Sequence, residues 1–177
     1  MTPERYLAAA QVPDLQPGTL ATLEDTLLPI AVIGYIDRLT RDLPLSDAFD
    51  RVDALPTALK SIYGAIVLDD QVRNGGFLQL FWNPIGVYGE LGAGGLSRIG
   101  AVGCAGVAFD AIQIFLGLVQ TDEWNALYGN GSLEAFSAAA DRDLFTEVDA
   151  AYLSFDEDPH ELAARYMRAH PDDVAHG

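Results

Sequence analysis

Basic residues are scarce: there are ten, against 26 acids in 177 residues, for a formal charge of −16. So negative a chain repels phosphate backbones and anionic lipid alike, which argues against direct binding of nucleic acid or of a membrane surface. Cysteine is scarcer still. Cys104 alone excludes an internal disulfide, and with no basic-then-apolar leader at the start, a reducing cytoplasm is the expected compartment. Histidine occurs only at positions 160, 170 and 176, none at a ligand spacing to Cys, Asp or Glu, so no metal and no cofactor is expected. Lys60 is the single lysine and no G-x-x-x-x-G-K-[ST] motif exists, so the glycine-rich run from Gly86 to Gly106 reads as helix packing through small residues. No convincing strand pattern, repeat or low-complexity tract is present.

What the chain does have is apolar content. Half its residues are hydrophobic, enough for one domain with a real core and short for two. Residues 1–18 are broken by Pro3, Pro13, Pro17 and Gly18 and read as a loose peripheral arm with room for one short helix, anchored by Tyr6 and Leu7, leaving 19–177 as a single helical domain. Leu28, Val32, Tyr35, Ile36, Leu39 and Leu43 keep the spacing of a buried helical stripe, with a kink or a new helix at Pro29. Pro56 suits the first position of a helix carrying Leu59, Ile62, Tyr63 and Ile66. Leu96 to Val119 is nearly uncharged, but Asp110, Gln113 and Gly117 line up with Gly103 and Gly106. That polar, small stripe opposite Val102, Ala105, Phe109, Ile112 and Leu116 predicts a central packed helix and no membrane span. Thr121 to Ser132 reads as a loop, and helices are expected over Asp143 to Phe155 and Asp158 to His170. The fold class is therefore all-α, a compact bundle of six to eight helices around a Gly/Ala-rich central one.

The stretch Asp69 to Gly86 organises the rest. Asn74-Gly75-Gly76 ends the helix arriving from Pro56, and Phe77, Leu80, Phe81 and Ile85 then resume helical spacing. Asp70, Gln79 and Asn83 are expected to pin this turn by hydrogen bonds, and Arg73 to compensate the acids at the helix end. The residues Asn74, Gly75, Gly76, Phe77, Gln79, Phe81, Asn83 and Gly86 spell N-G-G-F-x-Q-x-F-x-N-x-x-G. This resembles the signature of a bacterial family of uncharacterised domains whose best-known member is a DNA mimic protein. Weaker similarity runs through Leu96, Gly100, Ala111, Phe115 and Tyr152, with departures at Arg73, Leu80 and Pro84. The resemblance implies an all-helical fold and permits DNA mimicry.

Charge is unevenly spread. Between Asp122 and Glu161 eleven acids face one base, Arg142, a local charge of −10. Asp141, Asp143, Glu147, Asp149, Asp156, Glu157, Asp158 and Glu161 are thus the candidate face for a basic, DNA-binding partner. Asp143 with Glu147, and Glu157 with Glu161, have the helical spacing that could imitate successive phosphates. A second acidic group, Asp42 to Asp53, is expected to pair with Arg41 and Arg51. The same field also suits an immunity-type inhibitor of a basic nuclease. A third reading is a small enzyme centred on Asp69, Asp70, Gln79 and Asn83, which requires a pocket at the motif. The bland reading of Cys104 is a buried small hydrophobe. The sequence leaves a homodimer open.

Overall fold

The computed structural model describes residues 2–130, 132–142 and 144–177, and only the backbone of Ile85, Leu127, Gly129, Asn130 and Leu133. Among the described residues there is no strand. The helices are α1 (Pro3–Ala10), α2 (Pro17–Ala21), α3 (Leu28–Thr40), α4 (Leu45–Asp53), α5 (Thr57–Trp82), α6 (Gly89–Ile99), α7 (Val102–Leu118), α8 (Asp122–Asn130), α9 (Leu133–Ala140), α10 (Thr146–Ser154) and α11 (Pro159–Ala169), with short 3₁₀ turns at Asp25–Leu27 and Pro84–Tyr88. No helix is long and apolar enough to cross a membrane among the described residues. One apolar cluster runs from Val12 to Val174 and draws on most of the helices.

Among the described residues eleven helices exceed the six to eight expected, and the excess has identifiable causes. The expected loop at Thr121–Ser132 contains α8, because the Thr121 hydroxyl accepts the Trp124 N–H at 3.2 Å, and Asp122 and Glu123 occupy the first turn. The expected central helix is two. Gly100 sits at φ +92°, and the Ala101 N–H returns to the Leu96 carbonyl at 2.9 Å, closing α6 with the six-to-one bond of a Schellman cap. As expected, a new helix does begin beside Pro29: α3 starts at Leu28, with Pro29 in its first turn.

The rotation of α7 also differs from the expected stripe. Ala105 and Ile112 are buried, but Val102 (69%), Phe109 (44%) and Leu116 (44%) are exposed, and Cys104, Ala108 and Ala111 face the core. Both sides of this helix are apolar, so periodicity alone does not choose between them. The small side chains do, by allowing close approach to neighbouring helices. Small residues act likewise between α5 and α6, where a Cβ on Gly95 would lie 2.0 Å from the Ser61 carbonyl oxygen and one on Gly92 2.7 Å from that of Gly64.

At the start of the chain, α1 packs on α3, held by the Arg38 guanidinium, which donates to the carbonyls of Ala10, Val12 and Gly34. Tyr6 and Leu7, the expected anchors, are exposed. Ala9 and Leu15 are buried in their place, and Leu15 donates its N–H to the His176 carbonyl at 2.8 Å.

Candidate functional site

Helix α5 is two helical segments joined at a sharp kink. Gly75 (φ −165°, ψ 27°) and Gly76 (φ +73°, ψ −179°) leave the helical region. The conformation of Gly76 is open essentially to glycine alone. A side-chain bond measures how sharp the break is. Gln71 and Asn83 would be about 18 Å apart along a straight helix, yet Asn83 Nδ2 donates to Gln71 Oε1 at 2.8 Å. Gln79 Nε2 reaches the same oxygen at 3.3 Å. The second half of α5 therefore folds back over the first, and Gln71, not Asp70, is the acceptor that holds Gln79 and Asn83. Of the remaining motif residues, Phe77 and Phe81 are buried, with Phe77 edge-on to Tyr152 at 5.5 Å and Phe81 stacked on Phe115 at 4.3 Å. Gly86 comes close to the backbone, since a Cβ there would lie 2.7 Å from the Leu80 carbonyl oxygen, while Asn74 is exposed.

A new helical segment needs its first N–H groups satisfied. Asp149 on α10 supplies this, accepting the Phe77 N–H at 2.7 Å, and a Cβ on Gly76 would lie 2.5 Å from its other oxygen. Burial raises the Asp149 carboxyl above the ordinary aspartate range, against the pull of the Phe77 N–H. Nearly two turns before the break, Asp69 is 1% exposed and accepts Arg73 Nε at 2.9 and 3.0 Å and the Tyr152 hydroxyl at 3.0 Å. The expected compensation by Arg73 is present. Burial still dominates and raises the Asp69 carboxyl, with Arg73 and Tyr152 opposing the rise.

Beside Asp69 opens a cleft of about 700 Å³ between the end of the first half of α5 and the chain entering α11, lined by Asp69, Asp70, Arg73, His160, Glu161 and Arg165 among others. Asp70 Oδ1 lies 2.9 Å from His160 Nε2. That hydrogen bond, outweighing partial burial, raises the imidazole above the ordinary histidine range. Asp69, Asp70 and His160 each bring one donor atom within 4.8 Å of the others. Sequence spacing gave no sign of this group, because ninety positions separate His160 from Asp70. The cleft holds only half of the four residues nominated for an enzyme: Asp69 and Asp70 line it, whereas Gln79 and Asn83 are bonded to Gln71. Cys104 is fully buried and its thiol is pushed up to about 12, first by burial and then by Glu157, as befits a packing residue.

A family model described as DMP19-like protein matches residues 53–170. The chain belongs to the DMP19-like family. No curated protein and no solved structure matches it. The matched span holds both halves of α5, the residues of the Asp69 and Asp149 contacts and the whole cleft.

The eight acids nominated as a partner-binding face separate into kinds. Asp143 lies outside the described residues. Asp149 is the cap on Phe77. Glu157 spans two orphan donors at the start of α7, with Gly103 N–H on one oxygen at 3.0 Å and Cys104 N–H on the other at 2.9 Å. Partial burial works against its charge, but those two donors outweigh it and hold the carboxyl below the ordinary glutamate range. Asp158 caps α11 through the N–H groups of His160 and Glu161, and Glu161 pairs with Arg165 at 3.0 Å. Asp141, Glu147 and Asp156 are exposed and meet no hydrogen-bond or ion-pair partner among the described residues. Glu157 and Glu161 do not share a helix turn, because α11 begins only at Pro159, and α10 begins at Thr146, after Asp143. In the other acidic group, Asp53 is answered by Lys60 at 2.6 Å, and no ion pair joins Asp47 to Arg51 among the described residues.

Proposed function

We propose that this protein is an acidic binding module that acts as a DNA mimic, occupying the nucleic-acid site of a basic DNA-binding protein such as a transcription regulator. The observation that carries the reading is the set Asp141, Glu147 and Asp156, three exposed carboxylates on successive segments with no hydrogen-bond or ion-pair partner among the described residues. Membership of the DMP19-like family supports it, since that family's best-known member is a DNA mimic protein. A basic groove would gain from such unpaired charge what it gains from phosphates: steering at long range and release of its counterions. The acids that cap helices contribute to the field and hold the segments in place.

The test is capture of partners from lysate on the immobilised protein at low and at high salt, followed by competition with duplex DNA. A DNA-binding partner should be retained at low salt only and released by duplex. A captured protein that binds duplex and this chain at once contradicts the reading. Capture of a nuclease whose activity is blocked would favour the immunity-type reading, which relies on the same field.

A further inference from the structure

We propose that Asp69, Asp70 and His160 form a binding site for one divalent transition-metal ion in the cleft between α5 and α11. Their donor atoms lie within 4.8 Å of one another and come from two elements far apart in sequence. One edge of a coordination polyhedron already exists. With metal–ligand bonds of about 2.1 Å, neighbouring ligands of an octahedral ion stand about 3 Å apart, and His160 Nε2 and Asp70 Oδ1 are 2.9 Å apart. Both side chains are partly exposed, so small rotations can bring them toward the third donor.

That third donor is the buried one. The two oxygens of a carboxylate offer about four acceptor positions. Asp69 Oδ1 takes the Tyr152 hydroxyl and Arg73 Nε, and among the described residues Oδ2 takes only the other branch of Arg73 Nε, which leaves an acceptor position on Oδ2 in a side chain 1% exposed at the cleft wall. Tyr152 and Arg73 thereby fix the orientation of this carboxylate, as outer-shell hydrogen bonds do around metal ligands. The charge of Arg73 opposes a cation, but it is turned toward Asp69 and the Glu157 carbonyl, and the acidic residues Asp156, Glu157, Asp158 and Glu161 are among those lining the same cleft. An imidazole with two carboxylates selects zinc, cobalt, nickel or manganese over magnesium and calcium, which prefer all-oxygen sites.

The test uses the untagged full-length protein with Zn²⁺, with Co²⁺ as a coloured probe, and with Ca²⁺ and Mg²⁺ as controls. Titration calorimetry should find one Zn²⁺ per chain, and Zn²⁺ should raise the melting temperature of the parent. Asp70→Asn and His160→Gln should each weaken binding by about tenfold or more and abolish the thermal shift, while Glu147→Gln, away from the cleft, binds as the parent does. The Co²⁺ absorption bands should be lost in His160→Gln. No stoichiometric Zn²⁺ binding, bands that persist in His160→Gln, or equal loss in Glu147→Gln would each overturn the site.

Discussion

The acids of the kink and the acids of the outer face have the same chemistry and opposite fates. Asp69, Asp149 and Glu157 are each bonded to donors of a distant element: Tyr152 for the first, the Phe77 N–H for the second, the Gly103 and Cys104 N–H groups for the third. Asp141, Glu147 and Asp156 bond to nothing among the described residues. A charge count weighs all six alike. The first three are part of the reason the helices meet where they do, and the second three are the ones proposed above to face a partner.

The sharpest way to break the inner group is at the residue that lets Asp149 approach. Gly76→Val should destabilise by at least about 1–3 kcal/mol, since a β-branched residue at this φ and ψ is strained and its Cβ would also collide with the Asp149 carboxylate. An unchanged melting temperature would remove the kink from the centre of the account. Asp149→Ala, which leaves the glycine in place, should lose about 1–2 kcal/mol as an uncapped helix start does, measurable by urea denaturation. Tyr152→Phe should cost about 1 kcal/mol, because Asp69 loses one donor and keeps Arg73. In contrast, the amide variant Asp141→Asn, Glu147→Gln, Asp156→Asn should melt as the parent does.

The smallest change expected in the inner contacts is a pH dependence. The His160 imidazole is raised by Asp70, so its tie between α11 and α5 is fully present below the ordinary histidine value of about 6.5 and is lost as pH rises through the raised value. In stability measured between pH 5 and pH 9, roughly either side of that value, His160→Gln should remove a decline toward alkaline pH that the parent shows. Identical profiles would mean that the pair contributes nothing to the fold.

The sequence made the kink legible for a physical reason: two adjacent glycines inside an apolar helical pattern leave little else for the chain to do. Arg73 could be named as a partner for the acids because it stands four positions from Asp69. Gln71 could not, as it becomes a neighbour of Asn83 only once the helix has folded back, and sequence spacing assumes a straight one. Distance hid Tyr152 and His160 in the same way. The face of α7 was misread because Val102, Phe109 and Leu116 are as apolar as the residues that replace them in the core. Helix α8, by comparison, had a readable start in Thr121-Asp122-Glu123-Trp124, obscured by the Gly129-Asn130-Gly131 turn signal after it.

The most direct measurement is displacement of duplex DNA from a captured DNA-binding partner, comparing the parent with Asp141→Asn, Glu147→Gln, Asp156→Asn and with Tyr152→Phe. The account predicts that the parent displaces DNA and does so less well as salt rises, that the stable amide variant fails, and that the less stable Tyr152→Phe succeeds below its melting temperature. An amide variant that displaces DNA as well as the parent does would contradict it, and would leave the outer acids with no role beyond keeping the chain in solution.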